Sequence, residues 1–138
     1  PIGSKKAGVI PALIERFHLA KERNDQEVVV WGTGNACREF LYSRDLADAC
    51  IFVMEHAKHE FVFNVGSGGE ISIHDAAMVI KKVVGYEGSV VFDSTKPEGR
   101  LHMCLNSQRI HNLGWYARTS FEDAVRNTYL WWSSLKNM

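Results

Sequence analysis

A tryptophan and an arginine on either side of a glycine turn are the first residues whose types suggest chemistry. In Trp31-Gly32-Thr33-Gly34-Asn35-Ala36-Cys37-Arg38-Glu39-Phe40, one β-rich run ends in an aromatic ring and the next opens on a guanidinium. That order sets a flat π-face and a phosphate-gripping fork at one rim. Arginine can hold a phosphate through two parallel N–H···O bonds, which lysine cannot copy. The same residues also fit a β-hairpin with a core tryptophan and a surface arginine, since short motifs recur by chance. Other candidates are thinner. His56 and His59 stand three apart at a helix end, where two imidazoles share a face, yet zinc wants four ligands and no others lie nearby. Cys104 has no recognisable base beside it and reads as a structural thiol. Gly66-Ser67-Gly68-Gly69 follows a strand-like run but lacks the acidic partner and βαβ unit of a dinucleotide loop.

The elements that must position these residues are short. Ile10, Leu13, Ile14 and Phe17 recur at helical spacing, with Pro11 near the start and a charged run from Lys21 to Asp25 at the end. A second helix starts at Asp45, read as its N-cap, with Leu46, Cys50, Val53 and Ala57 on one face. A third follows Ser72-Ile73-His74-Asp75, a variant capping box, and runs to Gly85. A fourth follows Thr119-Ser120-Phe121-Glu122, with Phe121, Ala124, Val125, Thr128, Trp132 and Leu135 as its apolar face. Strand-like runs cover 28–31, 39–42, 61–65 and 89–92. Helices alternating with small strands predict an α/β or mixed α+β lobe, short of the long apolar strands of a complete doubly wound sheet.

Composition excludes several classes. The chain has 138 residues, 46% of them hydrophobic, so it is one domain with a core rather than a disordered polar chain. Sixteen basic side chains balance sixteen acidic ones, which argues against nucleic-acid or anionic-membrane partners. No apolar run approaches the ~20 residues of a bilayer span, and residues 1–8 lack the apolar stretch of a signal peptide. Three scattered cysteines, with no C-x-x-C pair and no glycosylation acceptor, predict free thiols in the cytoplasm.

Longer strings carry a resemblance. Val9-Ile10-Pro11-Ala12-Leu13-Ile14, Glu27-Val28-Val29-Val30-Trp31-Gly32-Thr33-Gly34, Arg38-Glu39-Phe40-Leu41-Tyr42 and Asp45-Leu46-Ala47-Asp48-Ala49 occur in order. Phe63-Asn64-Val65-Gly66-Ser67-Gly68, Val83-Val84-Gly85-Tyr86-Glu87-Gly88, 91–99 and Leu113-Gly114-Trp115 follow them. Together they resemble the C-terminal half of the GDP-L-fucose synthase family, among the extended short-chain dehydrogenases. The resemblance implies a family reaction: GDP-4-keto-6-deoxy-D-mannose is epimerised at two ring carbons and its ketone reduced with NADPH. It also implies that Arg16, Trp31 and Arg38 contact the GDP-sugar, with Glu98 at a position where the family has aspartate. Without it, Arg16 reads as a solvated helix residue and Trp31 as core.

The departures bear on activity. The family's Tyr-x-x-x-Lys pair is missing, because none of Tyr42, Tyr86, Tyr116 and Tyr129 has lysine four residues on. A tyrosinate base needs that positive charge to lower its pKa. The glycine-rich loop that would hold the dinucleotide pyrophosphate is missing too. The expectation is that NADPH, in the family, is bound mainly by an N-terminal Rossmann portion absent here. No cofactor, metal or catalytic residue is then expected in residues 1–138 themselves. Gly8 stands where the family's histidine is expected, and Met103 and Asn106 replace polar or charged family residues. Two readings follow. One is the GDP-sugar-binding part of an oxidoreductase and epimerase, completed by a separate cofactor-binding half or an oligomeric partner. The other is a non-catalytic binding or interaction module, a degenerate paralogue of the same fold. Under the first, the helix from Asp45 and the run around Phe63 leave apolar surface exposed.

Overall fold

The computed structural model describes residues 2, 7–57, 62–97 and 99–136. Among these residues five helices and four short strands follow in the order α1 (Val9–Arg23), β1 (Glu27–Trp31), β2 (Cys37–Arg38), α2 (Ser43–His56), β3 (Ile71–Ser72), α3 (Ile73–Val84), β4 (Ser89–Asp93), α4 (Gln108–Asn112) and α5 (Phe121–Lys136). The mixed α/β architecture agrees with the alternation in the sequence.

The larger core lies where α1 packs on the parallel β1–β4 pair, α3 on α1 and α5 on α3. Leu13, Ile14 and Phe17 of α1, Ile80 and Val84 of α3, and Val125 and Trp132 of α5 are buried together with Val28 and Val30 of β1. Strand alternation sends Val28 and Val30 inward and turns Glu27, Val29 and Trp31 outward. β1 and β4 run in register from Glu27↔Ser89 to Trp31↔Asp93. Helix ends follow local chemistry. Asn24 closes α1 in the left-handed conformation, a geometry its short polar side chain tolerates. Ser72 Oγ accepts from the Asp75 N–H to cap α3, and Gly85 ends that helix at φ 70°.

Five expectations are corrected. Trp31 and Arg38 do not flank a hairpin, because β1 pairs with β4 while β2 pairs antiparallel with β3. The 39–42 run is irregular, with its short strand displaced to Cys37–Arg38. Residues 62–65 form no regular strand, and Phe61 lies outside the described residues. Asp45 is not a cap. α2 starts at Ser43, and the Asp45 carboxylate instead accepts from the N–H and hydroxyl of Thr119, at 3.0 and 2.8 Å. The α5 box is also shifted by one residue, since Ser120 Oγ takes the Asp123 N–H.

A smaller cluster forms around Ala49 of α2, Ile110 of α4 and Trp115, with Phe63 and Val65 packed against it. Trp115 Nε1–H donates to Asp48 at 2.8 Å. The inward face of α2 is therefore centred on Ala49, flanked by Phe52 and Val53, whereas Leu46 and Cys50 are exposed.

Candidate functional site

The turn Gly32–Asn35 governs the geometry of the site. Gly32 and Gly34 have φ of 89° and 84°, where side chains other than hydrogen are strained. A Cβ on Gly34 would also meet the Phe92 ring at 2.8 Å, so the chain can pass this close to β4 only with glycine. The turn swings the backbone from β1 into β2 and returns Arg38 to the rim that carries Trp31.

Arg16, Trp31 and Arg38 line one open hollow of about 410 Å3. Ligand clefts commonly span ~300–1,000 Å3. Its apolar walls include Val9, Leu13, Ala36 and Ile73, and Pro97 closes another side. Trp31 is 59% exposed, which removes the core-residue reading of this indole. Arg16 extends from α1 and donates to the Val29 carbonyl, so β1 itself orients the guanidinium. Arg38 donates to the Cys37 carbonyl at 2.6 Å. A Cβ on Gly99 would stand 3.4 Å from Arg38 Nη2, so the chain passes close to this guanidinium. Of the four residues expected from sequence, three therefore share one hollow. Glu98 lies outside the described residues.

Neighbouring polar groups shape the rim. Asp93, opposite Trp31 in the strand register, accepts from the Thr95 hydroxyl and N–H. These bonds, the hydroxyl first, hold its carboxyl below the usual carboxylate range and fix the turn leading to Pro97. His102 is directed at Glu70, with Nδ1 3.0 Å from Oε2. Asn106 Oδ1 accepts from the Gln108 N–H at the start of α4, and its carbonyl accepts from Asn64. Desolvation, then the charge of Glu39, pushes the Cys104 thiol up, opposite to the shift that activates a nucleophile. His56 stacks on Phe52 and bonds its carbonyl, while His59 lies outside the described residues. Among the described residues no three metal-ligating side chains gather, and no helix is long and apolar enough to cross a membrane. Sequence reasoning passed over Glu70, which belongs to none of the strings quoted above.

The α/β lobe thus sets an exposed indole and two guanidiniums around an apolar-walled hollow. The model of the NAD dependent epimerase/dehydratase family matches residues 2–66. The chain is 46% identical, over 124 residues and 90% of its length, to putative GDP-L-fucose synthase 2 of Arabidopsis thaliana. It is 46% identical over 132 residues to GDP-L-fucose synthase of Escherichia coli K12, covering 89% of this chain. It spans 38% and 41% of those two relatives. The crystal structure of a GDP-L-fucose synthetase from Naegleria fowleri bound to NADP superposes with a TM-score of 0.91 at 26% identity, over 99% of this chain and 43% of that one. The chain is thus a relative of the GDP-L-fucose synthases, corresponding to about two fifths of their length.

Proposed function

We propose that this chain supplies the GDP-sugar-binding part of an enzyme of the GDP-L-fucose synthase kind, acting on GDP-4-keto-6-deoxy-D-mannose. The observation that carries the reading is the convergence of Arg16, Trp31 and Arg38 on one hollow. The exposed indole offers a stacking face to the guanine, and the two guanidiniums offer charge-assisted donors to the diphosphate. Glu98, at a position where the resemblance implies a substrate-contacting acid, is assigned a further contact in this reading. Epimerisation and NADPH-dependent reduction need a tyrosine–lysine pair and a pyrophosphate-binding loop, which a cofactor-binding half provides in this reading. The outward side of α2, with Leu46, Ile51 and Met54 exposed, is the apolar surface such a half would cover. Three free cysteines suit a cytoplasmic enzyme.

Calorimetric titration with GDP tests the binding role. Saturable binding is expected, weakened by at least about tenfold in Arg38→Ala and in Arg16→Ala, as loss of a charge-assisted contact implies. A folded chain that takes up no GDP, or whose GDP affinity neither substitution changes, overturns the proposal.

A further inference from the structure

Arg38 and Glu39 are neighbours on an extended segment, so their side chains leave on opposite sides. Arg38 faces the hollow. Glu39 turns away, and both its oxygens are engaged: Oε1 accepts the Gly68 N–H and Oε2 the Leu105 N–H, each at 2.9 Å. The backbone beside it is tied to the same region. The Cys37 N–H donates to the Leu101 carbonyl and the Glu39 N–H to the Met103 carbonyl, so residues 101–103 run parallel to 37–39. A second carboxylate grips this segment from β3's end of the chain. Glu70 Oε1 accepts the Met103 N–H at 2.8 Å, and Oε2 meets His102 Nδ1.

These bonds explain two features that the GDP-sugar site leaves unused. The Gly66–Gly69 loop is a cradle for a carboxylate of this chain: a Cβ on Gly66 would stand 2.2 Å from Glu39 Oε1 and push that carboxylate off its place. The strap at 99–105 has exposed apolar side chains at Leu101, Met103 and Leu105 and little packing of its own. Its position therefore depends on the polar anchors, and its first residue, Gly99, is the one that lies against the Arg38 guanidinium.

We infer that Glu39, with Glu70, is a positioning residue for the nucleotide-sugar site, holding the 99–105 strap so that Gly99 confines the Arg38 guanidinium in the hollow. The inference rests on the GDP-binding role proposed above. Glu39 touches no ligand in this scheme; it acts through the strap and Arg38. A glutamine at 39 keeps the shape but turns one acceptor into a donor facing an N–H, which breaks one anchor.

The test is a two-by-two set of GDP titrations, of Glu39→Gln in the unmodified chain and in Arg38→Lys, with amide hydrogen exchange on the same samples. Glu39→Gln should speed exchange at Leu105 and Gly68, and lower GDP affinity by about tenfold, in line with loss of hydrogen bonds to a charged group. In the Arg38→Lys background the same change should cost less than about twofold, because the residue it acts through has lost its fork. Glu70→Gln should repeat this pattern, with faster exchange at Met103, and serves in its place if Glu39→Gln does not fold. An equal loss in both backgrounds, or unchanged GDP affinity in a folded variant, overturns the inference. A flat titration of the unmodified chain fails the GDP-binding role itself, and is thereby distinguished from a normal titration that Glu39→Gln leaves unchanged.

Discussion

The two packed regions of this molecule are unequal. Around α1, α3, α5 and the β1–β4 pair, a continuous set of buried side chains joins three helices to a sheet, and Ile14, Phe17 and Ile80 are wholly inaccessible. Around α2 the buried set shrinks to Ala49, Ile110 and Trp115, and α2 leaves Met54 84% exposed. The hollow with Trp31 and the two arginines is built on the first region, from α1, β1 and the turn into β2. The contrast teaches that the geometry of the hollow is secured by this chain's own core, while the α2 side leaves apolar side chains at the surface.

Substitution in the larger core should do the most damage. Phe17→Ala removes a fully buried ring from the junction of α1 with Tyr86, whose ring centroid is 5.6 Å away. A loss of about 3–5 kcal/mol is expected, enough to unfold much of the population, and urea denaturation would measure it. A cost below ~1 kcal/mol would break the claim that this region carries the stability.

Asp45→Ala should have an intermediate effect, about 1–3 kcal/mol, because it strands two donors of Thr119. Asp45 lies in α2 and Thr119 just before α5, so this pair ties the smaller region to the larger one. Amide exchange should therefore quicken in α2 before it quickens in α3. Equal acceleration in both helices would show that the regions unfold as one unit.

The smallest effect is expected for Ile51→Lys. Ile51 is 57% exposed, so the stability of the isolated chain should change by no more than about 0.5 kcal/mol in a thermal melt. The same substitution should reduce self-association in light scattering if this face is a source of stickiness. A large destabilisation would mean that α2 is packed from both sides.

How much of this was legible in the sequence depended on whether the deciding interaction was local. α3 could be bounded closely because Ser72 caps the Asp75 N–H three residues on, and Gly85 supplies the left-handed stop. Asp45 has the residue type and position of a cap, but its partner, Thr119, is 74 residues away, beyond the reach of any local pattern. β2 and β3 are two residues each, too short to carry any period, and the 62–65 run is β-prone in composition yet forms no regular strand. The site was partly legible. The family resemblance named Arg16, Trp31 and Arg38, but the outward direction of Trp31 depends on the alternation of β1 against the helices. The anchoring role of Glu39 and Glu70 could not be read at all, because their partners are backbone N–H groups of segments distant in sequence.

The most direct test of the central claim is tryptophan fluorescence during a GDP titration, with Trp31→Phe and Trp131→Phe as paired controls. Both indoles are exposed, at 59% and 62%, but only Trp31 lines the hollow. Saturable quenching that persists in Trp131→Phe and disappears in Trp31→Phe is the predicted result. Quenching that survives unchanged in Trp31→Phe, or a flat titration of the folded chain, would contradict a GDP site built on Arg16, Trp31 and Arg38.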